Sequence, residues 1–151
     1  MTTQIAFLNY KKSRFSTRLP HLRLYTAAHF WIEPRENGVQ RVGLTKFATR
    51  MLGDLVETGV EVEPNAKVQV GEVIGWVECL KAASDLYCMV DGNYLGANSD
   101  LEEHPEWLHK DPYFKGWLYE ASGTPEPNAM DTQGYAEFLD HVISKMLGES
   151  Q

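Results

Sequence analysis

From Leu24 to Ala121 no hydrophobic run lasts long, and almost every run ends at a turn signal. Leu24–Pro34 and Gln40–Leu44 read as strands joined by Glu36-Asn37-Gly38, and Asn-Gly is a strong hairpin signal because both residues tolerate positive φ. Val60, Val62, Val68 and Val70 alternate with polar neighbours. Gly71–Leu80 is almost continuously apolar, which predicts a strand buried on both faces of a small barrel. Leu86–Val90 is a further run ended by a predicted turn at Asp91-Gly92, and Tyr94–Ala97 and Trp117–Ala121 follow. Ser122–Asn128, with Gly123, Pro125 and Pro127, reads as a connector. Many short strands with frequent turns give a mostly β (α+β) chain, a small barrel or sandwich with helices at its flanks.

Those helices carry a different period. Leu44, Phe47, Ala48, Met51 and Leu52 fall on one face of a predicted helix over Thr45–Leu52, with Thr45 to cap its start and Gly53 to close its end. Pro105 opens a short helix that must stop before Pro112. Tyr135, Phe138, Leu139, Val142, Ile143, Met146 and Leu147 define a C-terminal helix, with Gly148 beyond it.

Charge is distributed unevenly. No Asp or Glu precedes Glu33, whereas Lys11, Lys12, Arg14, Arg18 and Arg23 do, so residues 1–23 read as a basic N-terminal extension with little core-forming pattern. The net charge is −7, and removing that head leaves the body at −12. Such a body repels nucleic acid and anionic membrane and suits basic protein partners. The run Leu24–Ile32 falls far short of the roughly 20 apolar residues of a membrane span. With only Cys79 and Cys88, the chain is no disulfide scaffold, and a reducing cytoplasm is the expected compartment.

One stretch invites a chemical reading. The apolar strand ending at Leu80 runs into Lys81, and Ala82, Ala83 and Ser84 precede the next strand. A lysine between two core strands must project from the hairpin tip, because its charge cannot be buried unpaired. The small residues leave the amine open to a modifying enzyme. Read by composition alone, it is a surface lysine in a turn.

Val77-Glu78-Cys79-Leu80-Lys81-Ala82-Ala83-Ser84-Asp85 resembles the lipoyl-lysine motif of the glycine cleavage H protein family. Tyr25-Thr26-Ala27-Ala28-His29-Phe30-Trp31, Val42-Gly43-Leu44-Thr45 and Leu52-Gly53-Asp54-Leu55-Val56 are similar to further family segments, as are Asn98, Pro105, Leu108, Pro112-Tyr113 and Gly116-Trp117. The resemblance spans about residues 24–147 and implies a lipoyl-domain-like barrel-sandwich hybrid over residues 24–151. It implies lipoate joined by an amide to Lys81, with Glu78, Ala82, Ser84 and Asp85 around the attachment point. It further implies a monomeric carrier without catalytic residues of its own, served by a lipoate ligase or lipoyl synthase machinery.

Three departures bear on the cargo. Phe30 stands where the family has a glutamate, Ala28 where a serine is common, and Met51 where a histidine is found. These positions are thought to shelter an aminomethylated arm in the glycine system. Their loss points towards a less polar cargo, as in the related lipoate-binding proteins of bacterial sulfur oxidation, which work beside a heterodisulfide-reductase-like complex. Phe30, Met51 and Cys79 are then expected to contact the arm. The other reading is an H protein that carries the aminomethyl group between glycine cleavage enzymes. A biotin carrier shares the hairpin logic, but its lysine sits between methionines, and Leu80 and Ala82 flank Lys81 here. Cys79 reads either as a thiol exchanging with the arm or, like Cys88, as a small core residue. His21, His29, His104, His109 and His141 have no metal-ligand spacing. Asp54, Glu57, Glu61, Glu63, Asp100, Glu102 and Glu103 read as solvated or docking carboxylates.

Overall fold

The computed structural model describes residues 5–149. Residues 1–4 of the expected extension and residues 150–151 lie outside the described residues.

Strands β3 (Leu24–Tyr25), β4 (Phe30–Pro34) and β5 (Val39–Leu44) follow one another as an antiparallel meander. The predicted long strand Leu24–Pro34 is interrupted by a turn at residues 26–29, where the Thr26 carbonyl accepts from the His29 N–H and His29 takes φ 69°. The connection between β4 and β5 is the expected one, with Asn37 and Gly38 both at positive φ. Helix α1 (Lys46–Leu52) starts on the Thr45 side chain, which accepts from the Ala48 N–H, and ends at Gly53 with φ 86°.

Beyond α1 lie β6 (Leu55–Val60), β7 (Lys67–Val68), β8 (Val73–Cys79), β9 (Ala83–Tyr87) and β10 (Val90–Ala97). A 3-10 turn at Ser99–Glu102, the short α2 (Trp107–Lys110), β11 (Tyr119–Pro125) and α3 (Thr132–Met146) complete the body. One sheet runs β3-β4-β5-β11-β10-β7 and a second β6-β8-β9. They enclose an aliphatic core that includes Ile32, Val42, Ile74, Val77, Leu86 and Leu118. With α3 against it, this is the expected lipoyl-domain-like barrel-sandwich architecture.

Three β expectations need correcting. Strand β8 is not buried on both faces: Ile74, Val77 and Cys79 face inward while Val73, Trp76 and Glu78 are exposed. Its three-stranded sheet is covered on one side only, and the aromatic ring of Trp76 lies over Gly59 on the other. Asp91-Gly92 is no turn but the interior of β10, where Gly92 pairs with Gly123. A side chain at Gly92 would start 1.8 Å from the Ser122 carbonyl oxygen, so the glycine serves close strand approach. Ser122–Pro125 belongs to β11 for the same reason.

The N-terminal segment also differs from expectation. Residues of the supposed basic arm form a hairpin, β1 (Phe7–Lys12) with β2 (Phe15–Pro20), in register Tyr10↔Thr17 and Leu8↔Leu19. Its inward side chains Tyr10 and Leu19 are buried with Tyr25, Trp31, Tyr135 and Leu139 in a second, largely aromatic core beneath α3. Arg23 is buried as well, stacked on Trp31, paired with Glu33 and donating to the Tyr113 carbonyl. The cations Lys11, Arg14 and Arg18 remain on the outer side.

Candidate functional site

Lys81 sits at the tip of the β8–β9 hairpin and is exposed. The turn closes on itself through the Cys79 N–H donating to the Ala82 carbonyl at 3.0 Å. Its next three N–H groups reach outside the hairpin. Leu80 donates to the Asp54 carbonyl at 2.9 Å, and Lys81 and Ala82 donate to the Leu52 carbonyl at 2.9 and 3.2 Å. Leu52 is the last residue of α1, whose terminal carbonyls have no partner within the helix. The hairpin tip and the helix end therefore satisfy each other.

Gly53 makes that union possible. Its positive φ excludes most side chains, and a Cβ there would lie 2.9 Å from Lys81 Cγ and 3.1 Å from Lys81 N. With the backbone fixed, only the side chain of Lys81 is left to move. Nζ donates to the Arg50 carbonyl at 3.2 Å in an exposed contact and has no carboxylate within 4 Å among the described residues. The amine is accessible to an acylating enzyme.

Beside it runs a groove of about 270 Å³ whose lining includes Lys46, Arg50, Asp54, Leu80 and His109. His109 Nε2 lies 3.6 Å from Asp54 Oδ1, and Lys46 Nζ donates to the His109 carbonyl at 2.9 Å. Lys46, Arg50, Asp54 and His109 are polar groups that sequence reasoning did not bring to Lys81. Asp54 is only the second residue after α1 ends, and its carbonyl holds Leu80, so the L-G-D segment was the available signal. The approach of His109 depends on α2 packing on α1 and leaves no mark in spacing.

The other expected site residues divide. Glu78 and Asp85 are exposed on the outer face of the β6-β8-β9 sheet, Glu78 directly across from Glu57. Ser84 bonds the neighbouring Asp85 carbonyl, and Ala82 belongs to the tip. The three expected arm contacts are not brought together around Lys81. Phe30 is 3% exposed in the aliphatic core, and Met51 is half-exposed on a different groove, opposite the β1–β2 turn. Cys79 also faces the core, where burial and the neighbouring carboxylates Asp54 and Glu78 push its thiol above the usual range. A buried, protonated thiol is a poor exchange partner. Cys88 is fully buried, donates to the Val90 carbonyl and is likewise raised by burial. No group of three metal-ligating side chains occurs among the described residues.

The family model described as "Glycine cleavage H-protein" matches residues 23–141. The chain belongs to the glycine cleavage H-protein family. Relatives named glycine cleavage system H protein include that of Bacteroides fragilis, 40% identical over 74% of this chain and 89% of that one. The Rubrobacter xylanophilus protein is 38% identical over 81% of this chain and 95% of its own length. A crystal structure of a glycine cleavage system H protein from Mycobacterium marinum superposes with a TM-score of 0.72 at 34% identity, covering 81% of this chain and 99% of the other. The family is one of lipoyl carriers that serve other enzymes. The β1–β2 hairpin lies before the matched span.

Proposed function

We propose that Lys81 bears lipoate in amide linkage and that the chain is the H protein of a glycine cleavage system, carrying the aminomethyl group between enzymes in the cytoplasm. The observation that carries this reading is the exposed Lys81 amine, with no carboxylate within 4 Å among the described residues, on a tip whose backbone is fixed by Leu52 and Asp54, in a chain of the H-protein family. Lipoate supplies a disulfide that opens to a dithiol and holds a transferred group on sulfur. The chain's own residues position that arm: α1 and Gly53 fix its root, and Asp54 offers a carboxylate to a cationic cargo in the adjoining groove.

The case for a sulfur-oxidation cargo rested on the replacements at Ala28, Phe30 and Met51. Phe30 is packed in the core, Met51 lies on another groove, and the Asp54 carboxylate lines the groove at Lys81. The names of the relatives also favour the glycine reading.

Mass spectrometry on protein from a lipoylating host should find the lipoyl adduct on the Lys81 peptide and none in Lys81→Arg. With purified glycine decarboxylase and aminomethyltransferase, the lipoylated chain should support glycine-dependent release of carbon dioxide. An unmodified Lys81 would sink the carrier reading. A lipoylated chain inert with both enzymes would instead favour the heterodisulfide-reductase-like complex as partner.

A further inference from the structure

Between β6 and residues 98–102 lies a groove of about 420 Å³ that reaches beneath the sheet to Leu86 of β9 and is separate from the groove beside Lys81. One lip is β6 itself, Leu55–Val60, and the other is Asn98 with the 3-10 turn Ser99–Glu102 that it caps. Leu86, Leu101 and Leu118 form an apolar floor. We infer that this groove docks an extended, basic segment of a partner protein, which adds as a strand to the free edge of β6.

Three observations converge on that occupant. The first is the edge. In the order β6-β8-β9, β6 is terminal and pairs with β8 alone. The Glu61 N–H donates to the Ile74 carbonyl at 2.8 Å and Gly59 stands opposite Trp76. Antiparallel alternation therefore turns the N–H and C=O groups of Thr58 and Val60 away from β8, towards the groove. No backbone bond from another element reaches them among the described residues. Edges are normally blunted by lysine, proline, charge or a bulge. Leu55–Val60 has no lysine or proline, its bulge lies between Leu55 and Glu57, and Thr58–Val60 beyond it keep regular register with β8.

The second is charge. The charged residues lining the groove are Glu57 and Glu102, with no Lys or Arg between them. The third is a cost that folding does not explain. Glu57 lies directly across from Glu78, and like charges facing one another weaken a sheet. A cationic partner offsets that repulsion. The proposed mode joins main-chain pairing, which gives affinity, to charge and an apolar floor, which give selectivity. Leu55 pairs with Cys79, two residues from Lys81, so a partner strand here extends the very sheet that carries the arm and stays close to it. The inference goes beyond the carrier role and does not depend on which pathway the carrier serves.

The test is a titration of the isotope-labelled full-length protein with a capped pentapeptide Lys-Val-Thr-Val-Lys, followed by amide NMR. Shifts should be confined to residues 55–60 and 98–102 and be largest at Thr58 and Val60. Affinity should fall at least tenfold for the matched peptide Glu-Val-Thr-Val-Glu and for the E57K/E102K protein, and should weaken with added salt. Absence of shifts along β6 at millimolar peptide, equal affinity for the two peptides, or shifts centred on the Lys81 groove would each overturn the assignment. The wild-type titration alone decides the matter if the double variant fails to fold.

Discussion

The hairpins β1–β2 and β8–β9 are fixed to the same body by opposite means. The first is held by its side chains: Tyr10 donates to Asp140 at 2.8 Å, Thr17 meets Tyr113 at 2.9 Å, Phe15 packs edge-on against Phe47 and Leu19 is fully buried. The second is held at its tip by main-chain bonds to Leu52 and Asp54, and Leu80 and Lys81 there stay exposed. A hairpin docked by side chains is specified by which residues it carries. A tip docked by backbone leaves its side chains free for chemistry, and it depends instead on one glycine.

Breaking the first kind of docking should have the largest effect. Leu19→Ala removes a fully buried side chain from the aromatic core and should cost about 2–5 kcal/mol of unfolding free energy in urea, with acylation of Lys81 unchanged. Next is acid. Burial of His29 among Phe47, Phe138 and the Tyr135 hydroxyl lowers its pKa from 6.5 to about 4. The unfolded chain then binds the proton that the folded chain refuses, so stability is complete above pH 6.5 and is lost as pH falls towards 4. The loss should approach about 3 kcal/mol. A His29→Asn variant, whose side chain tolerates positive φ, should lack that slope. Hydrogen exchange should also show β1–β2 loosening before β8–β9, because Phe15 rests on the Phe47 that His29 touches.

Gly53→Ala probes the second kind of docking. Its backbone region suits glycine, and its Cβ would press on Lys81, so about 1–3 kcal/mol should be lost. Unlike Leu19→Ala, it should also slow acylation of Lys81, measured as the rate of adduct formation with a lipoate ligase. Smallest is Tyr10→Phe, which deletes the bond to Asp140 and should cost about 1 kcal/mol. If Tyr10→Phe slowed acylation as much as Gly53→Ala, the distinction between the two hairpins would fail.

Legibility in the sequence follows the same division. Local signals read well: the Thr45 cap and Gly53 stop of α1, the Asn37-Gly38 connection, the period of α3 and the small residues after Lys81. The family resemblance added the architecture, and from it comes the proposal for Lys81. What escaped depends on contacts between distant elements. Leu8, Tyr10, Phe15, Thr17 and Leu19 do alternate with polar residues, but the acid-free charge around them resembles a solvated arm, and only the second core reveals what they bury against. Gly92 mimics a turn residue because close strand crossing and tight turning both demand glycine. Aligning Phe30 and Met51 with polar family residues said nothing about the direction in which each side chain points. His109 reached the site through α2.

The contact from Lys81 Nζ to the Arg50 carbonyl has an electrical corollary. As an ammonium, Nζ offers three hydrogens and a full positive charge. Amide formation there leaves a single N–H for that carbonyl and abolishes the charge, making the chain one unit more negative than its present −7. Isoelectric focusing can therefore count loaded and empty molecules in one lane, without any reagent for sulfur.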